Sequence, residues 1–246
     1  LNVTGNTFYT KPMSVFVDSN VVAEYTGPHG RGAAVLKKYP EIIFEEGKFD
    51  ANDSTNTYVQ AGYTVTASST DGIYNGWKAF DNLVGASWWY TTTGHYDSSG
   101  GYTSGSTYNL GTSTGSSTAT DNGHYIKLDL PHKLQLSHVF MDSSQWNLQG
   151  PKDFKLYGSN NDVDWSLIQS FTGQPPGTAV KNTYTINSTT FYKSIGLVVT
   201  AVVGNGDGRV GLRELEYYGY EEGAGSQGDT SIDTTLKSVM NTPQTT

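Results

Sequence analysis

Aromatic and polar residues collect in the middle of the chain in a combination that suits sugar binding. Lectin-type sites stack an aromatic face against the apolar side of a pyranose and use a few polar side chains for its hydroxyl groups. One alternative is that the tryptophans are core residues, namely Trp77, Trp165 and one of Trp88 and Trp89. The candidate glycan-binding residues are Trp88, Trp89, Tyr90, His95, Tyr96, Tyr102, Trp146, Asn147, Asn205 and Arg209.

A loop near residue 206 carries two patterns known from other ligand sites, but neither is flanked by the helices that its site requires. Gly206–Gly211 has the letters of a dinucleotide-binding fingerprint, but that site needs a helix after it, and a strand is predicted here. A helix-loop-helix calcium pattern fails because Val203 stands where the first carboxylate belongs. Its later positions are filled by Asn205, Asp207, Gly208 and Glu214. The sequence therefore excludes both of these sites.

Catalytic patterns are missing from the sequence. The five histidines are spread along the chain without ligand spacing on one element, and there is no Gly-X-Ser-X-Gly elbow and no cysteine. His132 beside Pro131 is expected at the surface. We therefore predict that the chain is not an enzyme.

Charge and hydropathy limit the partners. The formal net charge is −8 and no basic cluster exceeds Lys37-Lys38, which argues against nucleic acid and anionic membranes. The longest apolar run, residues 195–203, is too short for a membrane helix and predicts a buried strand. We predict neither nucleic-acid binding nor membrane insertion.

Alternating apolar and polar residues predict the strands that must position these side chains. The clearest unit is the segment 150–171, in which two alternating runs flank the turn formers Gly-Ser-Asn-Asn-Asp, so it predicts a hairpin. Other alternating runs are Tyr63–Ser69, His124–Pro131, Leu134–Met141, Asn182–Asn187, Phe191–Val203 and Val210–Tyr220. An all-β fold of about eight antiparallel strands is the prediction.

Several of these segments, in this order, resemble one known family. Gly76–Trp89, the hairpin 150–171 and the closing strand 210–220 are similar to segments of the discoidin family, also called the coagulation factor V/VIII C-type domain. Its carbohydrate-binding relatives form family 32 of the carbohydrate-binding modules, with a galactose-binding-like fold. The resemblance covers residues ~58 to 220 and implies a jelly-roll β-sandwich. It departs from the family pattern at Asn82, where glycine is usual, and in the spacing to the tryptophan pair.

The same resemblance implies a cation site. Many discoidin-like modules hold one calcium ion between the Phe-Asp-Gly loop and a glutamate of the closing strand, which correspond here to Asp81 and Glu214. Main-chain carbonyl groups, such as that of Lys78, would add oxygen ligands, which Ca²⁺ prefers. The alternative is that Asp81 only accepts hydrogen bonds within its turn and that Glu214 faces solvent.

The flanking regions differ in composition from the predicted sandwich. We expect an extended β-rich arm over residues 1–57, the sandwich over 58–220, and a flexible linker and tail over 221–246. Phrases within residues 1–49 resemble segments of structural proteins of large DNA viruses of algae. Short strands there cannot bury an apolar face alone. We therefore predict that residues 1–57 make assembly contacts and form homo-oligomers.

Three functions follow as hypotheses. The first is a non-catalytic attachment and structural module of a virion or cell-surface protein, exposed on the virion or outside the cell, that binds glycans or neighbouring subunits. The second is a carbohydrate-binding module of a larger secreted glycan-processing enzyme. The third is a purely structural capsid or fibre decoration. Loss of self-association on removal of residues 1–50 would favour the first and third, whereas a monomer that keeps its sugar affinity would favour the second.

Overall fold

A computed structural model of the chain describes part of its length. The described residues are 13–17, 20–25, 35–53, 56–83, 87–103, 108–110, 121–143, 148–174, 181–204 and 207–223. Of the arm before residue 36, the structure gives an antiparallel hairpin formed by β1 (Met13–Val17) and β2 (Asn20–Tyr25). The strand expected over residues 1–9 and the tail after residue 223 lie outside the described residues.

Residues Leu36–Glu222 form one compact unit built from strands and one short 3₁₀ helix, η1 (Gly76–Phe80). Its strands are β3 (Lys37–Tyr39), β4 (Ala51–Asn52), β5 (Thr57–Gln60), β6 (Tyr63–Ala67), β7 (Trp89–Tyr90), β8 (His124–Ser143), β9 (Pro151–Ser159), β10 (Trp165–Phe171), β11 (Lys181–Thr185), β12 (Phe191–Val202) and β13 (Gly211–Glu221). Every pairing between these strands in the described part is antiparallel. The predicted all-β antiparallel fold is confirmed.

Two layers share the long strand β8. Residues 124–129 of β8 pair with β6 and β12, which gives the order β10-β9-β12-β8-β6-β5-β4. Residues 134–143 of β8 pair with β13, and β11 joins on the other side of this half. β3 and β7 then add to β13. The result is a β-sandwich of the jelly-roll type, as expected from the sequence.

The crossing between layers corrects one expectation. The alternating runs His124–Pro131 and Leu134–Met141 are not separate strands but two halves of β8, of which the first pairs with β6 and β12 and the second mainly with β13 and β11. The register on β12 jumps from Asp129 to Leu134, so residues 130–133 bulge where the strand bends. Pro131 is suited to this bulge because it has no N–H to donate to a ladder. His132 is exposed there, as expected.

The hairpin of β9 and β10 is confirmed, with Phe154 opposite Phe171 and Ser159 opposite Trp165. Its turn is closed by the side chain of Asn161, whose Oδ1 accepts hydrogen bonds from the amides of residues 163 and 164 at 3.0 and 2.8 Å. The inward residues of the neighbouring strands, such as Leu156 and Leu197, are fully buried. Burial of each such side chain contributes about 1.5–3 kcal/mol to folding. The apolar run predicted as a buried strand is β12.

The compact unit begins earlier than the sequence suggested. In β3, Lys37 lies opposite Gly219 and Tyr39 opposite Tyr217, so this strand extends the layer that contains β13. The amide of Phe44, a fully buried residue, donates to the Phe80 carbonyl at 3.2 Å. The boundary expected between residues 57 and 58 therefore falls inside the unit Leu36–Glu222.

Among the described residues, no helix has the length and apolar character needed to cross a membrane.

Candidate functional site

Loops that are distant in sequence meet where β13 begins. The amides of Gly94 and His95 donate to the carbonyl groups of Asp207 and Gly208 at 3.0 and 2.9 Å. The amide of Gly211 donates to the Gln149 carbonyl at 3.0 Å. The described residues of 69–74, 88–103, 148–150 and 203–210 therefore form one end of the sandwich, which we call the loop surface.

Arg209 is the central polar residue of the loop surface. Its Nη1 lies 2.5 Å from Asp71 Oδ2, its Nη2 donates to Asp207 Oδ2, and its Cζ lies 5.2 Å from the centre of the Tyr90 ring. Gln149 Nε2 donates to Asp207 Oδ1 at 2.7 Å. Partial burial raises the pKa of Asp207, but the hydrogen bond and charge of Arg209 outweigh it and hold that pKa below its ordinary value. The charged network is thus fixed in one arrangement.

An aromatic group lies beside this network. The rings of Tyr74 and Trp88 stack with their centres 5.6 Å apart and their planes at 11°. The ring centres of Trp88 and Tyr90 are 5.7 Å apart. Tyr74 and Trp88 are both partly exposed. Ile73 next to them exposes 69% of its surface. The loop surface therefore presents aromatic and apolar area next to charged groups.

Three of the predicted ligand residues are instead core residues. Trp89 is 0% exposed, and its Nε1 donates to the Ser69 carbonyl at 3.0 Å. Tyr96 is buried with its hydroxyl donating to the Val199 carbonyl at 2.8 Å, and Tyr90 is also buried. Their side chains offer a ligand almost no open ring face, so the expected stacking role does not fit them. The interpretation that one of the Trp88–Trp89 pair is core applies to Trp89.

The remaining predicted residues divide into two groups. His95 and Tyr102 are partly exposed and their rings are stacked, with centres 6.4 Å apart. Trp146, Asn147 and Asn205 lie outside the described residues, and their predicted role stays a prediction. Three residues of the loop surface were not predicted from the sequence, Asp71, Tyr74 and Gln149, and their one sequence signal is a position beside glycine-containing turns.

The two carboxylates expected at a cation site, Asp81 and Glu214, lie close enough for the charge of Asp81 to act on Glu214. Asp81 is buried, accepts a hydrogen bond from Ser87 Oγ, and accepts the Leu83 amide at 3.0 Å. Burial raises the pKa of Asp81. Burial, and then the negative charge of Asp81, raise the pKa of Glu214 to about 9. Glu214 is only partly exposed, so it does not simply face solvent.

These residues fit a hard cation. An ion between Asp81 and Glu214 would offset both the desolvation and the mutual repulsion that raise their pKa values. Asp81 lies along a depression of about 810 Å³ that is also lined by Lys78, Asn82 and Ser87. In the part of the chain that the structure describes, no three side chains of His, Cys, Asp or Glu converge on one metal position. Main-chain carbonyl groups and water would therefore have to complete the ligand set.

Comparison with known proteins adds the context of the fold. No family model and no curated protein matches the chain. Among solved structures, it is similar to the family 32 module of NanJ from Clostridium perfringens in complex with galactose, with 16% identity, a TM-score of 0.46, and 67% of this chain and 98% of that chain covered. The structural neighbours are family 32 carbohydrate-binding modules.

Two further neighbours are of the same kind. One is the C. perfringens module CpGH89CBM32-5 in complex with GalNAc-β-1,3-galactose, with 16% identity, a TM-score of 0.45, and 63% and 94% of the two chains covered. The other is chitosan-binding module 1 of a chitosanase/glucanase from Paenibacillus sp. IK-5, with 17% identity, a TM-score of 0.45, and 64% and 96% covered. These likenesses concern the fold alone. The resemblance of the N-terminal arm to viral structural proteins is not supported by the comparisons.

Proposed function

We propose that the compact unit is a non-catalytic carbohydrate-binding module and that the loop surface holds the sugar. The observation that carries this proposal is the Asp71–Arg209–Asp207–Gln149 network beside the stacked rings of Tyr74 and Trp88. Sugar sites combine these two elements, because an aromatic ring covers the apolar face of the pyranose while fixed polar groups bond its hydroxyls. Glycan binding, which the first and second hypotheses share, is therefore part of this proposal.

The polar groups supply both donors and acceptors. The side chains of Asp71 and Asp207 are 42% and 43% exposed, so their outer lone pairs can accept hydroxyl protons. Arg209 is held between them and can donate from an orientation that is already fixed. Gln149 Oε1 is buried and has no hydrogen-bond partner among the described residues. A sugar hydroxyl, which both donates and accepts, suits this mixture of groups.

Calcium belongs to this proposal as a structural ion. Asp81 and Glu214 would hold it, with main-chain oxygens of the η1 region such as the Lys78 carbonyl. When bound, the ion supplies positive charge between the two carboxylates and ties the loop after η1 to β13. It has no part in any chemical step.

The wider setting that we propose is a module of a larger, extracellular glycan-processing protein. The family 32 neighbours include modules of glycoside hydrolases, such as CBM32-3 of a family 31 glycoside hydrolase from C. perfringens. Roles on a virion, in a capsid or in cell adhesion, and oligomers through residues 1–57, gain no support from the comparisons and remain predictions.

Glycan binding by the full chain tests the proposal. A glycan array should identify a ligand, and its Kd by titration calorimetry should rise at least tenfold in Arg209→Gln and in Trp88→Ala, because these remove the central donor and the stacking face. Lys133→Gln is the control for loss of a positive charge, since Lys133 pairs with Glu222 at 3.3 Å near the other end of β13. A blank array from folded protein, or unchanged affinity in both variants, would refute the proposed site.

A further inference from the structure

His124, the first residue of β8, has a buried ring nitrogen without a hydrogen-bond partner in the part of the chain that the structure describes. The residue is 0% exposed, and its Nδ1 lies 2.9 Å from Ser68 Oγ and 3.2 Å from Ser69 Oγ. Its Nε2 is buried and has no hydrogen-bond partner among the described residues. Leaving a buried polar atom unpaired destabilises the fold, so such an atom in a folded protein calls for a water, an ion or another ligand.

The state of the ring suits metal binding. Ser68 Oγ accepts the Tyr125 amide at 3.0 Å, which fixes the hydroxyl beside Nδ1. Histidines that bind metals usually have their other nitrogen held by a hydrogen bond of this kind, which sets the ring orientation.

A second histidine lies at a suitable distance. The ring centres of His95 and His124 are 4.9 Å apart with their planes at 90°. Zinc binds imidazole nitrogen at about 2.0–2.1 Å, so two imidazoles on one tetrahedral ion have ring centres roughly 5 Å apart. His95 is partly exposed, whereas His124 is buried, so an ion could reach the pair from the solvent side.

We propose that His95 and His124 together bind a divalent transition-metal ion such as Zn²⁺. Imidazole nitrogen suits zinc, copper and nickel, whereas the carboxylates of Asp81 and Glu214 suit a harder ion, so the two sites differ in ligand chemistry. Tyr108 stacks on His124 with ring centres 4.6 Å apart and covers one side of the position. Because no third His, Cys, Asp or Glu joins the pair in the described residues, water completes the coordination and the expected affinity is micromolar.

Titration calorimetry of the full, chelator-treated chain with ZnCl₂ tests this site. We expect wild type to bind zinc with micromolar affinity, His95→Gln to bind it at least tenfold more weakly, and His132→Gln to bind like wild type. His132 is the control because it is exposed at the bend of β8. No zinc binding by wild type, or equal binding by wild type and His95→Gln, would overturn the proposal.

A second measurement does not rely on a variant at the buried position. In ¹H–¹⁵N spectra of the histidine rings of wild type, Zn²⁺ should shift the Nε2 signal of His124, while Ca²⁺ at the same concentration should leave it unchanged. An unshifted His124 Nε2 signal at saturating Zn²⁺ would show that the ion binds elsewhere or that a water satisfies this nitrogen.

Discussion

Glu214→Gln is expected to make the calcium-free protein more stable at neutral and alkaline pH and, at the same time, to abolish stabilisation by calcium. In the calcium-free state Glu214 is desolvated and lies close to the negative charge of Asp81, which together raise its pKa to about 9. Glutamine has nearly the same shape as the protonated acid and carries no charge. It therefore removes the cost of keeping this side chain protonated above its ordinary pKa, and it also removes a ligand of the ion.

The direction of the pH dependence follows from linkage. The folded pKa of Glu214 lies above its ordinary value of 4.5, so this group's contribution to stability is full below about pH 4.5 and is lost as the pH rises toward 9. At pH 7.5 the unfolded chain has released this proton while the folded chain retains it. We expect this to lower the stability of calcium-free wild type by about 2–4 kcal/mol relative to Glu214→Gln.

Urea unfolding of both proteins from pH 5 to 9, with chelator and with Ca²⁺, provides the measurement. With chelator, the difference in free energy of unfolding should grow with pH. With Ca²⁺ at a hundred times its Kd, wild type should gain about 2.7 kcal/mol and Glu214→Gln none. Glu221→Gln is the matched control, because Glu221 is the last residue of the same strand, pairs with Lys37 at 3.5 Å and does not contribute to the pKa of Glu214. Equal stabilisation of wild type and Glu214→Gln by calcium would refute the site.

Gly100→Ala is expected to destabilise the protein by about 3–5 kcal/mol. Gly100 has φ of 85°, and a Cβ there would lie 2.0 Å from the Val202 carbonyl oxygen. The atom that the Cβ meets belongs to the backbone, so it cannot move away by a change of rotamer. The Val202 amide also donates to the Gly100 carbonyl at 2.8 Å, which holds the two segments together. The loop that carries His95 and Tyr102 must therefore move away from β12 or the strand must distort.

Gly94→Ala separates the clash from the backbone strain. Gly94 lies in the same loop with φ of 82°, but a Cβ there meets nothing within 4 Å. Only the cost of the left-handed conformation remains, about 1 kcal/mol. The measurement is the free energy of unfolding of the two variants in urea. Equal losses would show that Gly100 is needed for its conformation alone and that the loop is not tightly joined to β12.

Strands with several alternating residues could be predicted from the sequence, whereas short strands could not. The hairpin of β9 and β10 and the closing strand β13 carry long period-two patterns, because one face of each strand packs on the core. β3 has three residues, Lys-Lys-Tyr, too few to show a period. Its strand structure is decided by pairing with β13, which lies about 180 residues later, and no local pattern records that contact.

The candidate site, like the set of strands, could be predicted only in part. The segments that form the loop surface could be identified from aromatic and glycine content, but the role of each residue could not. Trp88 and Trp89 are adjacent, so they point to opposite faces, and the pairing of Trp89 with Leu212 decides which one is buried. Asp71 and Gln149 gain their role only by contact with the 207–209 loop, through Arg209 and Asp207.

The path of β13 places the loop surface and the two ends of the compact unit at opposite ends of one strand. Gly211, at its start, pairs with Tyr90 in the loop surface, and Gly219, near its end, pairs with Lys37, the first residue of β3. The polypeptide therefore enters and leaves the compact unit side by side, with Lys37 Nζ 3.5 Å from Glu221 Oε1. At about 3.3 Å per residue, the loop surface is roughly 30 Å away from this point. A ligand on the loop surface would therefore bind at the end of β13 opposite to Lys37 and Glu221.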